Sequence, residues 1–215
     1  MKRIRNITVK YIGLTLAMCA LLAASPLMST GADALASDDY TQWKQNDSEW
    51  NSSAAFPGSY AGFLANSGCW ITSISMLLRQ YGLVSDDVDE FNPAICAGTM
   101  YGAGALTGGG LTVLSMVGEA FPGFDYAGTY GYSYDKLREL FDAGYACALL
   151  VRGGGHMVAV SDVLDDGTVE ILDPGWDYTT LSQWGGATEI IAFGPIEQPE
   201  EAATVVTEKA EMFTV

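Results

Sequence analysis

The sequence predicts an α+β domain in which early helices pack on a later antiparallel sheet. Three observations carry this reading. Ile71, Ile74, Leu78 and Tyr81 recur at helical spacing in a stretch without charge from Cys69 to Leu78. After Gly144 the pattern changes to short runs rich in Val, Ala and Leu. Asp165-Asp166-Gly167 then separates two of these runs with the residues of a hairpin turn.

The N-terminal stretch stands apart from that domain. Lys2, Arg3, Arg5 and Lys10 precede an uncharged run from Tyr11 to Ala24, and Ala34-Leu35-Ala36 offers the small residues of a signal-peptidase site. Residues 1–36 are therefore expected to be a signal peptide, cleaved after Ala36. The apolar run is short beside the roughly 20 residues of a spanning helix, and an uncleaved anchor is the lesser alternative. Cys19 follows Met18, which does not suit a lipoprotein signal.

Cleavage leaves 179 residues, enough for one domain with its own core. The expected boundaries are 37–195 for the domain and 196–215 for an acidic tail. With 6 of the 10 Lys and Arg and 25 of the 26 Asp and Glu remaining, the formal charge of the mature chain is −19. Such a surface repels nucleic acid and anionic lipid. The expectation is a secreted or cell-surface protein with no nucleic-acid partner and no membrane attachment after cleavage.

Within the domain, Gly68 and Gly82 bracket the first helix, and Asn92-Pro93 supplies a cap and first turn for a second. A helix is expected from Leu111 to Phe121, and another from a Ser133 cap through Phe141, stopped by Gly144. Strands are expected at Ala146–Val151, His156–Val163, Thr168–Leu172 and Glu189–Phe193.

His156 is the single histidine of the chain. A His-Glu-x-x-His zinc site is thereby excluded, and neither a phosphate-binding Gly-x-x-x-x-Gly-Lys loop nor a Gly-x-Ser-x-Gly elbow occurs. No cofactor is expected. What remains is thiol chemistry. Cys69, at a helix N-terminus, is favoured as thiolate by the free N–H groups and the dipole. His156 opens one strand of the hairpin and Asp173 follows the other, so antiparallel pairing returns both to one sheet edge, a few residues out of register, a gap that a bulge or strand curvature must close. His156 then serves as base, Asp173 orients it, and the Cys69 N–H with a glutamine amide, Gln42 or Gln45, forms an oxyanion hole. Taken singly, each residue has an ordinary structural reading: a core thiol, a strand-end imidazole, a turn aspartate, a solvated glutamine. Their order and settings join them.

Cys69, Cys96 and Cys147 survive cleavage, an odd number that leaves at least one thiol free or paired outside the chain. Cys96 and Cys147 either pair with each other or sit separately in the core. Gly153 to Gly155 adjoin His156 and are expected to border a substrate groove. Trp176 is a candidate wall of the site, with a core or rim role as the equal alternative.

The stretches Gln45-Asn46-Asp47-Ser48-Glu49-Trp50, Ser67-Gly68-Cys69-Trp70-Ile71-Thr72-Ser73, Gly155-His156-Met157-Val158-Ala159-Val160 and Asp173-Pro174 together resemble the family 39-like cysteine peptidases. These are papain-fold relatives of the domains that trim bacteriocin leader peptides. The resemblance runs from about Tyr40 to Pro195, with Trp70-Ile71 in place of the usual small residue and proline and with a long Gln45-to-Cys69 spacing. It implies a papain-like fold with the nucleophile helix packed on the C-terminal sheet. It further implies Gln45 as oxyanion amide, Cys69 as nucleophile, His156 as base and Asp173 as orienter, acting on a peptide or protein substrate. A peptidoglycan amidase or endopeptidase acting on cell-wall peptide, a thiol acyltransferase and a non-catalytic secreted binding protein are the alternatives on the same residues.

Overall fold

The computed structural model describes residues 42–196. The expected signal peptide, Tyr40 and the tail from residue 197 onward lie outside the described residues. Four helices come first: α1 (Ser48–Asn51), α2 (Phe63–Ser67), α3 (Cys69–Gln80) and α4 (Pro93–Gly102). Asn92 caps α4 as expected, its Oδ1 accepting from the N–H groups of Ala94 and Ile95 at 2.9 and 3.1 Å.

The helix expected from Leu111 to Phe121 is shorter in the structure. Only a 3₁₀ turn, Leu114–Met116, and the single turn α5 (Val117–Ala120) form. Tertiary hydrogen bonds claim the rest: Thr107 N–H donates to the Leu111 carbonyl, and Val113 N–H to the Ala105 carbonyl. A strand absent from the expectations follows, β1 (Tyr126–Gly131), and it precedes α6 (Tyr134–Asp142). Helices and strands are therefore interleaved at this point. The Ser133 hydroxyl caps α6 by accepting from Lys136 N–H.

The remaining strands are β2 (Ala146–Val151), β3 (His156–Val163), β4 (Val169–Leu172) and β5 (Glu189–Phe193). They make one five-stranded sheet, ordered β1-β5-β2-β3-β4, with every pairing antiparallel. Helix α3 packs against β3 on one face, and α6 covers the other. Both faces being covered, β2 is buried at all six positions and shows no alternation. The N-terminal face gathers Ile71, Ile74, Leu77 and Leu78 with Met157 and Ala159. The opposite face gathers Leu137, Leu140 and Phe141 with Leu149, Val158 and Val160. Each fully buried Ile or Leu contributes roughly 1.5–3 kcal/mol, so the four from α3 anchor that helix firmly on its face of the sheet.

Cys96 and Cys147 are both free thiols, one in α4 and one in β2, on opposite faces of the sheet. Of the two arrangements left open by the sequence, separate core thiols is the one observed. Ile196 is buried and its N–H donates to the Gly144 carbonyl at 3.0 Å, so ordered packing reaches at least this residue.

Candidate active site

Helix α3 sets the thiol. It begins at Cys69 directly after Gly68, whose N–H donates to the Leu64 carbonyl at 2.7 Å and joins α2 to α3. A Cβ at Gly68 would meet that carbonyl oxygen at 2.4 Å, so only glycine permits this close approach. Two polar side chains then pin α3 along β3. Ser73 Oγ donates to the Met157 carbonyl at 3.0 Å, and Gln80 Nε2 donates to the Ser161 carbonyl at 3.2 Å. The apolar spacing of α3 identifies its buried face, but these two pins had no signal beyond polar residues in an uncharged helix.

Strand β3 sets the imidazole. His156 pairs with Val151 of β2 and is 3% exposed. The β3–β4 ladder shifts register between Val160 and Asp162, which leaves Ser161 as the extra residue. A bulge is one of the two devices, with strand curvature, that the register gap calls for, and this one shifts the ladder by one residue in the direction that brings Asp173 toward His156. His156 Nε2 and Asp173 Oδ1 are 2.8 Å apart. Gly175 lies against the ring, where a Cβ would sit 3.2 Å from His156 Cε1.

Asp173 is fully buried, and its carboxylate is completely engaged. Oδ1 accepts from Gly175 N–H at 2.8 Å and Trp176 N–H at 3.1 Å as well as facing His156, while Oδ2 accepts from Trp184 Nε1 at 2.8 Å. Trp184 was not singled out from the sequence; a lone tryptophan in a polar loop carries no pattern. It lies at a tilt 5.4 Å from the imidazole, and Trp176 stands edge-on to it at 4.8 Å. The two indoles also meet each other at 5.0 Å, so His156 and Asp173 sit under an aromatic roof.

The N-terminal segment straps the loop that carries Asp173. Gln42 Nε2 donates to the carbonyls of Asp173 and Tyr178, and Lys44 Nζ donates to those of Asp173 and Trp176. Gln45 N–H donates to the Pro174 carbonyl at 2.8 Å, and its Nε2 donates to the Ala65 carbonyl at 2.8 Å. Ala65 lies in α2, one turn before Cys69. The two glutamines thus differ. Both amide hydrogens of Gln42 are spent on the loop, whereas Gln45 commits one and keeps the other.

The electrostatics of the pair follow from these contacts. Burial opposes ionisation of Cys69, but a hydrogen bond with His156, the N–H groups of Met157 and Trp70 and the imidazole's charge outweigh it, so the thiol lies below its ordinary range. Burial likewise opposes the charged form of His156. Hydrogen bonds to Asp173 and Cys69 prevail and push its pKa up to about 9. Asp173 is held below the usual carboxylate range, its burial overcome by His156 and the N–H groups of Gly175 and Trp176. All three shifts favour a thiolate beside an imidazolium. Cys96 and Cys147 behave oppositely, each pushed by burial up to about 12.

Asp173 occupies Nε2, leaving Nδ1 as the ring nitrogen for the thiol. This joins a thiol, an imidazole and a buried carboxylate in one chain of contacts. Among the described residues, no group of three or more His, Cys, Asp or Glu side chains gathers to hold a metal ion. Two surface hollows lie elsewhere, one lined by Gln42, Lys44 and Arg79 and one by Asp166, Thr180 and Gly186. Neither includes Cys69 or His156, and the contacts of the thiol outweigh concavity in locating the chemistry. No family model matches this sequence, and neither a curated protein nor a solved structure matches the chain.

Proposed function

We propose that this chain is an exported cysteine peptidase on a papain-like fold, working at the cell surface or outside the cell. The observation that carries the reading is the linkage of Cys69, at the start of α3, to His156 and through it to a fully buried Asp173 2.8 Å away. The packing of α3 on β3 supports the papain-like assignment, since it places a helix-borne thiol against a strand-borne imidazole.

In the proposed reaction the Cys69 thiolate attacks the carbonyl carbon of a peptide bond. The negative charge moves to the carbonyl oxygen, where the Cys69 N–H and the uncommitted amide hydrogen of Gln45 receive it. As the C–N bond breaks, the His156 imidazolium gives its proton to the leaving amine. Water then attacks the thioester while His156 takes back a proton, which releases the acid and restores the thiolate. Asp173 keeps the Nε2 proton in place throughout and is not itself protonated.

The test is Cys69→Ala, assayed on a mixture of internally quenched peptides. Turnover should fall by about 10³-fold or more, with circular dichroism and melting temperature unchanged. Cleavage persisting in that variant at the wild-type rate contradicts the proposal.

A further inference from the structure

The mature chain is strongly acidic, yet one cation stands uncompensated at the rim of the site. Among the described residues, Lys44, Arg79, Lys136 and Arg138 each form an ion pair, and Arg152 forms none. Its surroundings fix it there. Arg152 follows the last residue of β2 and has φ of 54°, a left-handed conformation uncommon for a side chain of its size. Strain of this kind persists only where the surrounding structure imposes it. Here β2 and β3 are in register up to Val151 and His156, so the connection must reverse within Arg152 to Gly155.

The guanidinium carbon of Arg152 lies 5.7 Å from the centre of the Trp176 ring, and Trp176 in turn stands edge-on to His156. Arg152 is exposed, and Trp176 is 39% exposed, so this cation and indole face solvent together beside the imidazole. The two acids that flank Trp176 in the chain are engaged elsewhere: Asp173 by His156 and Trp184, and Asp177 by Lys44 at 3.1 Å. Arginine keeps its charge across the pH range of any assay and binds carboxylates through a planar fork.

The direction of the reaction says which part of a substrate passes over this feature. The leaving amine must approach the imidazole to receive its proton. Groups stacked beside His156 therefore border the segment that departs. We propose that Arg152, stacked on Trp176, is a subsite for a carboxylate on the leaving-group side of the scissile bond. The carboxylate is either an Asp or Glu side chain or the free C-terminus of a short leaving segment. This rests on the peptide-bond chemistry assigned to Cys69.

A protection assay tests it without requiring turnover. The rate of Cys69 alkylation by iodoacetamide is measured in the full chain with increasing Ala-Ala-Glu-Ala amide, Ala-Ala-Gln-Ala amide or Ala-Ala-Gln-Ala with a free C-terminus. Half-protection should need about five-fold less of a carboxylate-bearing peptide than of the neutral one, in keeping with a partly exposed charged contact. Advantage in the glutamate peptide alone identifies a side-chain carboxylate, and advantage in the free C-terminus identifies a terminal one. Arg152→Gln should abolish the preference and Arg152→Lys should retain part of it. Equal protection by all three peptides, no protection by any, or a preference that survives Arg152→Gln overturns the subsite. Failure of the peptidase reading shows separately, as alkylation of Cys69 that is indifferent to His156→Ala.

Discussion

Asp173 is the residue on which most of the site depends. Its two oxygens receive the Nε2 side of His156, two backbone N–H groups and the Trp184 indole, all within 3.1 Å. Asp173→Asn keeps the shape and replaces one acceptor with a donor, so either the ring or the indole loses its partner. Peptide cleavage should fall by about 10²- to 10⁴-fold, and the melting temperature should drop by several degrees, since an unmet buried donor costs about 1–3 kcal/mol. Unchanged cleavage in this variant means that Asp173 is only a structural acceptor. The sequence made Cys69, His156 and Asp173 legible because their types are scarce and their chemistry is particular. Trp184 was not legible, because its role depends on a loop returning to the carboxylate from a distance of 11 positions. Gln42 and Gln45 are indistinguishable by residue type; the family resemblance points to Gln45, and in the structure the two differ in the number of amide hydrogens already donated.

At the level of elements, α3 and β3 carry the site between them. The helix face was readable from its spacing, and the hairpin from its turn residues, because both patterns arise within a few residues of local sequence. The turn closes as those residues suggest, with Leu164 N–H donating to the Thr168 carbonyl at 2.8 Å. Strand β1 was not readable. Its residues alternate between half-buried and exposed, and Gly128 and Gly131 interrupt any β-rich run. It becomes a strand by pairing with β5, whose partner residues lie 58 to 67 positions further along the sequence. The join between α2 and α3 offers the sharpest test at this scale. Gly68→Ala places a methyl against the Leu64 backbone and should destabilise the fold by about 1–3 kcal/mol while displacing the start of α3. Both the melting temperature and the alkylation rate of Cys69 should fall. A variant with wild-type melting and wild-type alkylation shows that the close approach at Gly68 does not position the thiol.

At the scale of the whole fold, a sheet covered on both faces separates the three cysteines among the described residues into different chemical fates. Cys96 and Cys147 lie in the two cores and are pushed by burial up to about 12, while Cys69 sits at the edge where His156, Asp173 and backbone N–H groups hold it below its ordinary range. Because His156 is raised to about 9, the imidazolium persists through neutral pH and is lost only as pH rises through that value. The thiolate–imidazolium pair therefore exists from the depressed thiol value up to about 9. Iodoacetamide alkylation across that pH range, followed by mass spectrometry of wild type and His156→Ala, tests this most directly. Cys69 alone should be modified rapidly at mildly acidic pH in the wild type, and in His156→Ala that reactivity should shift toward the alkaline range of an ordinary thiol. A Cys69 that is slow at mildly acidic pH, or whose pH profile is the same in both proteins, would contradict the thiolate–imidazolium pair.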